Sequence, residues 1–133
     1  MEIKQLVEAA FEASKNAYVP YSNFRVGAIA YMKDGTMFKG CNIENAAYGD
    51  TMCAERNAVF QAYCNGYTKE DFESLTIVAK CTPIASPCGS CRQVLSELLL
   101  SKTPIYLANE NDVIVTNMEE LLPGAFTKES LNV

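Results

Sequence analysis

Histidine is absent from all 133 residues. That excludes any metal centre held by imidazole, although zinc is normally bound by histidine nitrogen as well as cysteine sulfur. Long apolar runs are missing too. No stretch approaches the ~20 residues a membrane-spanning helix requires, and the opening MEIKQLVEAAFEASK carries charges where a secretory leader would be uninterruptedly apolar. A cytoplasmic protein that does not enter membranes is therefore expected. There is no repeat, low-complexity tract or linker, so residues 1–133, 49% hydrophobic and 20% charged, are expected to form one catalytic-size globular domain. A basic stripe is lacking as well: 11 Lys and Arg lie scattered among 16 Asp and Glu, giving a net charge of −5. Such a field repels nucleic acid and anionic membrane surfaces and favours a small, locally recognised substrate.

What the chain does have is six cysteines. In a reducing compartment these read as thiols and metal ligands before they read as disulfides. The hydrophobic pattern says where they fall. Ile3, Leu6, Val7, Ala10 and Phe11 recur at helical spacing, which predicts a helix over residues 3 to 16 that Pro20 prevents from continuing. Two β-patterned runs flank KDG, predicting an antiparallel hairpin of residues 25–31 and 36–41. A second helix is expected from near Cys53 to the Asn65-Gly66 stop. SLTIVAK, residues 74–80, reads as a buried strand, and Ser86-Pro87 reads as the start of a third helix. TPIYLA and DVIVT read as two further strands, with a short closing helix or turn in NMEELLPGAF. The order α-β-β-α-β-α-β-β-α predicts an α/β fold, a three-layer α/β/α sandwich around a mixed sheet of about five strands. If the strands before the second and third helices run the same way, both helices begin at one sheet edge, where α/β folds place ligands.

That edge gathers the chemistry. Cys88 and Cys91, from SPCGSC, are three residues apart and share a helical face, and Cys53 begins the preceding helix. Helix N-termini favour thiolates, so three sulfurs at two such ends can hold a soft metal without imidazole. Three protein ligands leave tetrahedral zinc an open position, the pattern of catalytic sites. Glu55 follows Cys53 by two residues. Inside a helix that spacing points the two apart, but with Cys53 in a non-helical cap position Glu55 can face the open position as a proton shuttle.

CAE followed by PCGSC is similar to the zinc nucleobase deaminase signature in its three-cysteine form. FRVGA, GCNIENAAYG, CAERNA, SPCGSCRQVLSEL and ELLPGAF extend the match, in order and spacing, across essentially the whole chain. In these motifs the chain resembles the small homotetrameric cytidine deaminases. The resemblance implies a cytidine deaminase-like fold and hydrolysis of cytidine and 2′-deoxycytidine to uridine and 2′-deoxyuridine, with release of ammonia, in pyrimidine salvage. It further implies one Zn2+ per subunit on Cys53, Cys88 and Cys91, proton transfer by Glu55, and charge balance by Arg56. Phe24 would pack on the pyrimidine, Asn42 and Glu44 would bind the ribose 3′-hydroxyl, and the main chain around Ala54 would contact the base. Tyr48 and Phe126 would reach a neighbouring subunit's site, so that active sites depend on a homotetramer.

Plainer readings stand beside these. An isolated Cys-x-x-Cys is a redox or structural element more often than a catalytic one. Cys81 ends the third strand at the same edge and could close a four-cysteine structural site, and Arg92 could replace Arg56 as the balancing cation. Cys41 and Cys64 read as small buried apolar side chains, the default for free cysteine. Taken singly, Glu55, Asn42 and Glu44 read as a helix-start acid and turn formers, and Phe24 and Phe126 as packing aromatics. Two other functions remain open at this point: a deaminase of another aminopyrimidine, and a zinc or nucleoside-binding module without catalysis.

Overall fold

The computed structural model describes residues 1–131. Its sheet is mixed and five-stranded, in the order β2-β1-β3-β4-β5. The strands are β1 (Val26–Met32), β2 (Met37–Cys41), β3 (Phe72–Ala79), β4 (Ile105–Ala108) and β5 (Val113–Thr116). Helix α1 (Ile3–Ser14) covers one face, and α2 (Ala54–Cys64), α3 (Gly89–Leu98) and the short α4 (Met118–Leu121) cover the other. This is the α/β/α sandwich that the element order predicts.

The two-residue alternation of a strand sorts the core between these faces. Ala28, Ala30 and Met32 of β1 pack with Ala54, Ala58 and Leu95, while Ile29 packs with Leu6, Ala10 and Val78. Small residues on the first face let α2 lie close to the sheet. The approach is closest at Gly40, where a β-carbon would sit 2.3 Å from the Ala54 carbonyl oxygen. On the other face, a β-carbon at Gly27 would meet the Ala10 carbonyl oxygen at 1.9 Å.

Strand directions position the site. β1 is antiparallel to both β2 and β3, so those two run the same way. The helices that follow them, α2 and α3, therefore both begin at one edge of the sheet, at the carboxyl ends of β2 and β3. Among the described residues, no helix is long and apolar enough to cross a membrane.

The strands shift by one or two residues from expectation, Cys64 is exposed and Cys41 half-buried where both were expected to be buried, and two helix boundaries differ. Helix α1 ends at Ser14, and its last residues give way to tighter turns closed by Asn16 N–H on the Ala13 carbonyl at 3.2 Å and Ala17 N–H on the Ser14 carbonyl at 3.1 Å. The third helix does not start at Ser86-Pro87. Cys88 is its N-cap, with φ −67° and ψ 166°. Proline disfavours helical backbone in the residue before it, and Arg92 reaches back to hold the segment open. Its Nε donates to the Pro87 carbonyl at 2.8 Å and its Nη2 to Ser86 Oγ.

Candidate metal centre

Cys53 caps α2 in an extended conformation, φ −74° and ψ 153°. The side chain thus leaves the helix axis, and Glu55 in the first turn can serve the same cleft. Cys88 caps α3, and its sulfur accepts the Cys91 N–H at 3.5 Å. Cys91 is fully buried one turn into that helix. The three sulfurs lie within 4.8 Å of one another, and Cys88 and Cys91 are 3.4 Å apart. Cys81 is not part of this group.

Charge within the cluster is uneven. A hydrogen bond from Cys91, followed by the neighbouring Arg56, draws the Cys53 thiol down to about 5. Donation to Cys53, followed by burial, pushes Cys91 up. The guanidinium Nη2 of Arg56 stands 3.7 Å from Cys53 Sγ, and its buried Nε has no partner. Arg92 is engaged elsewhere, since beyond Pro87 and Ser86 it donates to the Leu121 carbonyl at 2.8 Å. Glu55 is only 5% exposed, and burial, then the Cys53 charge, raises its carboxyl above the ordinary range.

The donor set fits zinc. Zn–S bonds of about 2.3 Å place sulfurs about 3.8 Å apart around a tetrahedral ion, close to the spacing of this cluster. Both helices present their N-termini, whose partial positive charge favours thiolates. Zinc with three thiolates carries net −1, and Arg56 is the cation at hand.

Beside the cluster lies a cleft of about 220 Å³, lined by Phe24, Val26, Asn42, Cys53, Glu55 and Cys88 among others. Ala54 also contributes to its wall. Asn42 is not free: Oδ1 accepts the Val26 N–H at 3.0 Å and Nδ2 donates to the Phe24 carbonyl at 2.8 Å. Glu44 faces an adjoining recess with Tyr21, Ser22, Tyr48 and Thr51. Thr51 lines both hollows. Tyr48, 74% exposed, stacks edge-on against Tyr21 at 5.7 Å.

Phe126 is not brought to the cleft. It is 56% exposed and lines a separate recess with Tyr63 and Lys69. Sequence reasoning missed Ser22 and Thr51, and it took Ser86 for a helix cap although Ser86 lines the cleft. A serine beside Asn-Phe signals a turn, but nothing in that signal reveals which distant side chain the turn meets.

A family model described as the cytidine and deoxycytidylate deaminase zinc-binding region matches residues 1–107. A cytidine deaminase of Halalkalibacterium halodurans is 47% identical over 133 residues, covering 99% of both chains. One of Sporosarcina psychrophila is 46% identical over 133 residues, covering 99% of this chain and 96% of its own. Among solved structures, the cytidine deaminase of Burkholderia pseudomallei superposes with a TM-score of 0.92 at 46% identity, covering 95% of this chain and all of that one. The cytidine deaminase of Mycobacterium tuberculosis does so with a TM-score of 0.80 at 37% identity, covering 96% and 98%.

Proposed function

Because this chain belongs to the cytidine and deoxycytidylate deaminase family, we propose that it converts cytidine and 2′-deoxycytidine, with water, into uridine and 2′-deoxyuridine plus ammonia. The carrying observation is the convergence of three cysteine sulfurs at two helix starts, with Cys53, Cys88 and the buried Glu55 carboxyl lining a single cleft beside them. Cys53, Cys88 and Cys91 would hold one zinc ion per subunit. Zinc bound there supplies Lewis acidity that makes a water nucleophilic near neutral pH.

The remaining work falls to side chains of the cleft. Glu55 accepts the proton released by the attacking water and delivers it to ring nitrogen N3. As the C4–N bond breaks, the same carboxyl carries a second proton to the departing amine, which leaves as ammonia. A buried carboxyl suits this cycle, because burial penalises its charged form and so makes it take up a proton more readily than it would in water. Phe24 packs on the pyrimidine, the main chain around Ala54 holds the base, and Asn42 and Glu44 bind the ribose 3′-hydroxyl. Arg56 offsets the thiolates' surplus charge.

Tyr48 and Phe126, both exposed in a single chain, are assigned to the sites of neighbouring subunits in a homotetramer. Large exposed aromatics of this kind are common in surfaces that become contacts. Acting on free nucleosides, the enzyme belongs to pyrimidine salvage in the cytoplasm, as a single catalytic domain.

The test is chromatography of cytidine after incubation with the purified protein, beside a Glu55→Gln variant whose zinc content is measured. Uridine from the parent, and a rate lower by about 10²–10⁴ in the zinc-loaded variant, is the expected result. Equal rates would remove Glu55 from the proton path. No product from either would leave a binding or structural module.

A further inference from the structure

The loop before β1 closes around one hydroxyl. Ser22 Oγ donates to Glu44 Oε2 and accepts the Phe24 N–H at 3.0 Å. Glu44 Oε1 in turn accepts the N–H groups of Tyr21 at 3.0 Å and Ser22 at 3.1 Å. Asn23, between Ser22 and Phe24, has φ 60°, a left-handed conformation that asparagine tolerates better than most residues. It turns the chain so that the serine meets the amide two residues ahead.

A carboxylate offers about four acceptor directions. Tyr21 and Ser22 take three of them, all from the loop side. One remains, on Oε2, and Glu44 lines the recess shared with Tyr48 and Thr51. Burial alone does not hold Glu44 in place, for it is only half-buried at the rim. Its orientation rests on donors, and Ser22 supplies two of the three. Ser22 also fixes the N–H side of Phe24 while Asn42 fixes its carbonyl. One hydroxyl therefore links the sugar side of the cleft to its aromatic wall.

We propose that Ser22 is a positioning residue for substrate selection: it aims Glu44 so that a single acceptor direction is left for the sugar 3′-hydroxyl. This rests on the nucleoside-deaminase reading above. Alanine lacks both of the hydroxyl's bonds, threonine retains them, and neither change touches the cysteines or Glu55.

The experiment compares steady-state kinetics of the parent, Ser22→Ala and Ser22→Thr on cytidine and on 3′-deoxycytidine. In Ser22→Ala, KM for cytidine rises about tenfold, as loss of a charge-assisted hydrogen bond predicts, and kcat stays within about twofold. KM for 3′-deoxycytidine, which lacks the group Glu44 receives, moves by less than about twofold. Ser22→Thr stays near the parent. Equal rises for the two substrates, a fall in kcat at constant KM, or a threonine variant as impaired as the alanine one would each overturn the assignment. If Ser22→Ala does not fold, Ser22→Cys, a weak donor of similar size, carries the same comparison with a smaller rise. A parent that leaves cytidine unchanged would overturn the deaminase reading, and this inference with it. An active parent with a uniform effect in the variant overturns the role of Ser22 alone.

Discussion

Cys53, Cys88 and Cys91 take their positions from two helix starts anchored on a buried sheet, whereas Phe24, Glu44 and Tyr48 take theirs from loops tied by side chain to backbone bonds. At the thiolate end, Ala54, Ala58 and Cys91 are wholly buried, so the ligand geometry is inherited from core packing. At the rim, Tyr48 is 74% exposed and Phe24 40% exposed. Cover is thin there: Tyr48 has the Tyr21 ring edge-on beside it and is otherwise largely open. The difference separates two kinds of precision: one from close packing, which resists any change of volume, and one from directed hydrogen bonds, which fail one donor at a time.

The comparison breaks most visibly at the ligands. Cys91→Ser is expected to abolish deamination and to lower zinc affinity by more than the ~10–100-fold typical of changes to residues behind the ligands, read by metal content after dialysis. Cys81→Ser, on the same sheet edge but outside the cluster, keeps both metal and rate. Zinc loss in the second variant would show that four cysteines, and a closed site, hold the ion.

A smaller effect is expected from Gly40→Ala, because the new methyl would sit 2.3 Å from the Ala54 carbonyl oxygen at the start of α2. Overpacking of this kind costs about 1–3 kcal/mol. Denaturant unfolding should register it, and because α2 carries Cys53 the loss should extend to zinc affinity. Unchanged metal binding in a destabilised variant would mean that the ligand end does not inherit its geometry from packing.

The smallest change is expected at the rim. Tyr48→Ala should shift folding stability by less than about 0.5 kcal/mol, as exposed substitutions do, and raise KM for cytidine several-fold if the ring serves a neighbouring subunit. Gel filtration and kinetics on the same sample test both halves. A wild-type KM from a wild-type oligomer would free Tyr48 of any part in the site.

The same division explains what could be read from the sequence. The thiolate cluster was legible because a three-residue spacing is one helical turn, a local rule. That β2 and β3 run the same way was only a condition on the sequence, because it depends on β1 pairing antiparallel with a strand forty or more residues away. The start of α3 was misplaced because Ser-Pro is a good local signal, while the force that holds residues 86 and 87 extended comes from Arg92, which lies within the helix itself. At the rim, the partners are sixteen residues apart or more: Glu44 accepts from Ser22 across twenty-two, and Asn42 from Val26 across sixteen. No periodicity encodes such a meeting. Phe126 and Tyr48 show the remaining limit: both are exposed, and the role proposed for them lies on a neighbouring subunit.

Gly27 and Gly40 stand on neighbouring strands, one register step apart, and face opposite helices. The sandwich is therefore pinched from both sides at one spot. A mutational scan should find this spot the least tolerant of added volume in the sheet, since a new methyl at either glycine would meet helix backbone, Ala10 on one face and Ala54 on the other. Room for added atoms lies instead in turns such as those at Gly35 and Gly66, where a β-carbon would meet nothing within 4 Å, which leaves the spacing between α1, the sheet and α2 as the dimension of the fold with the least slack.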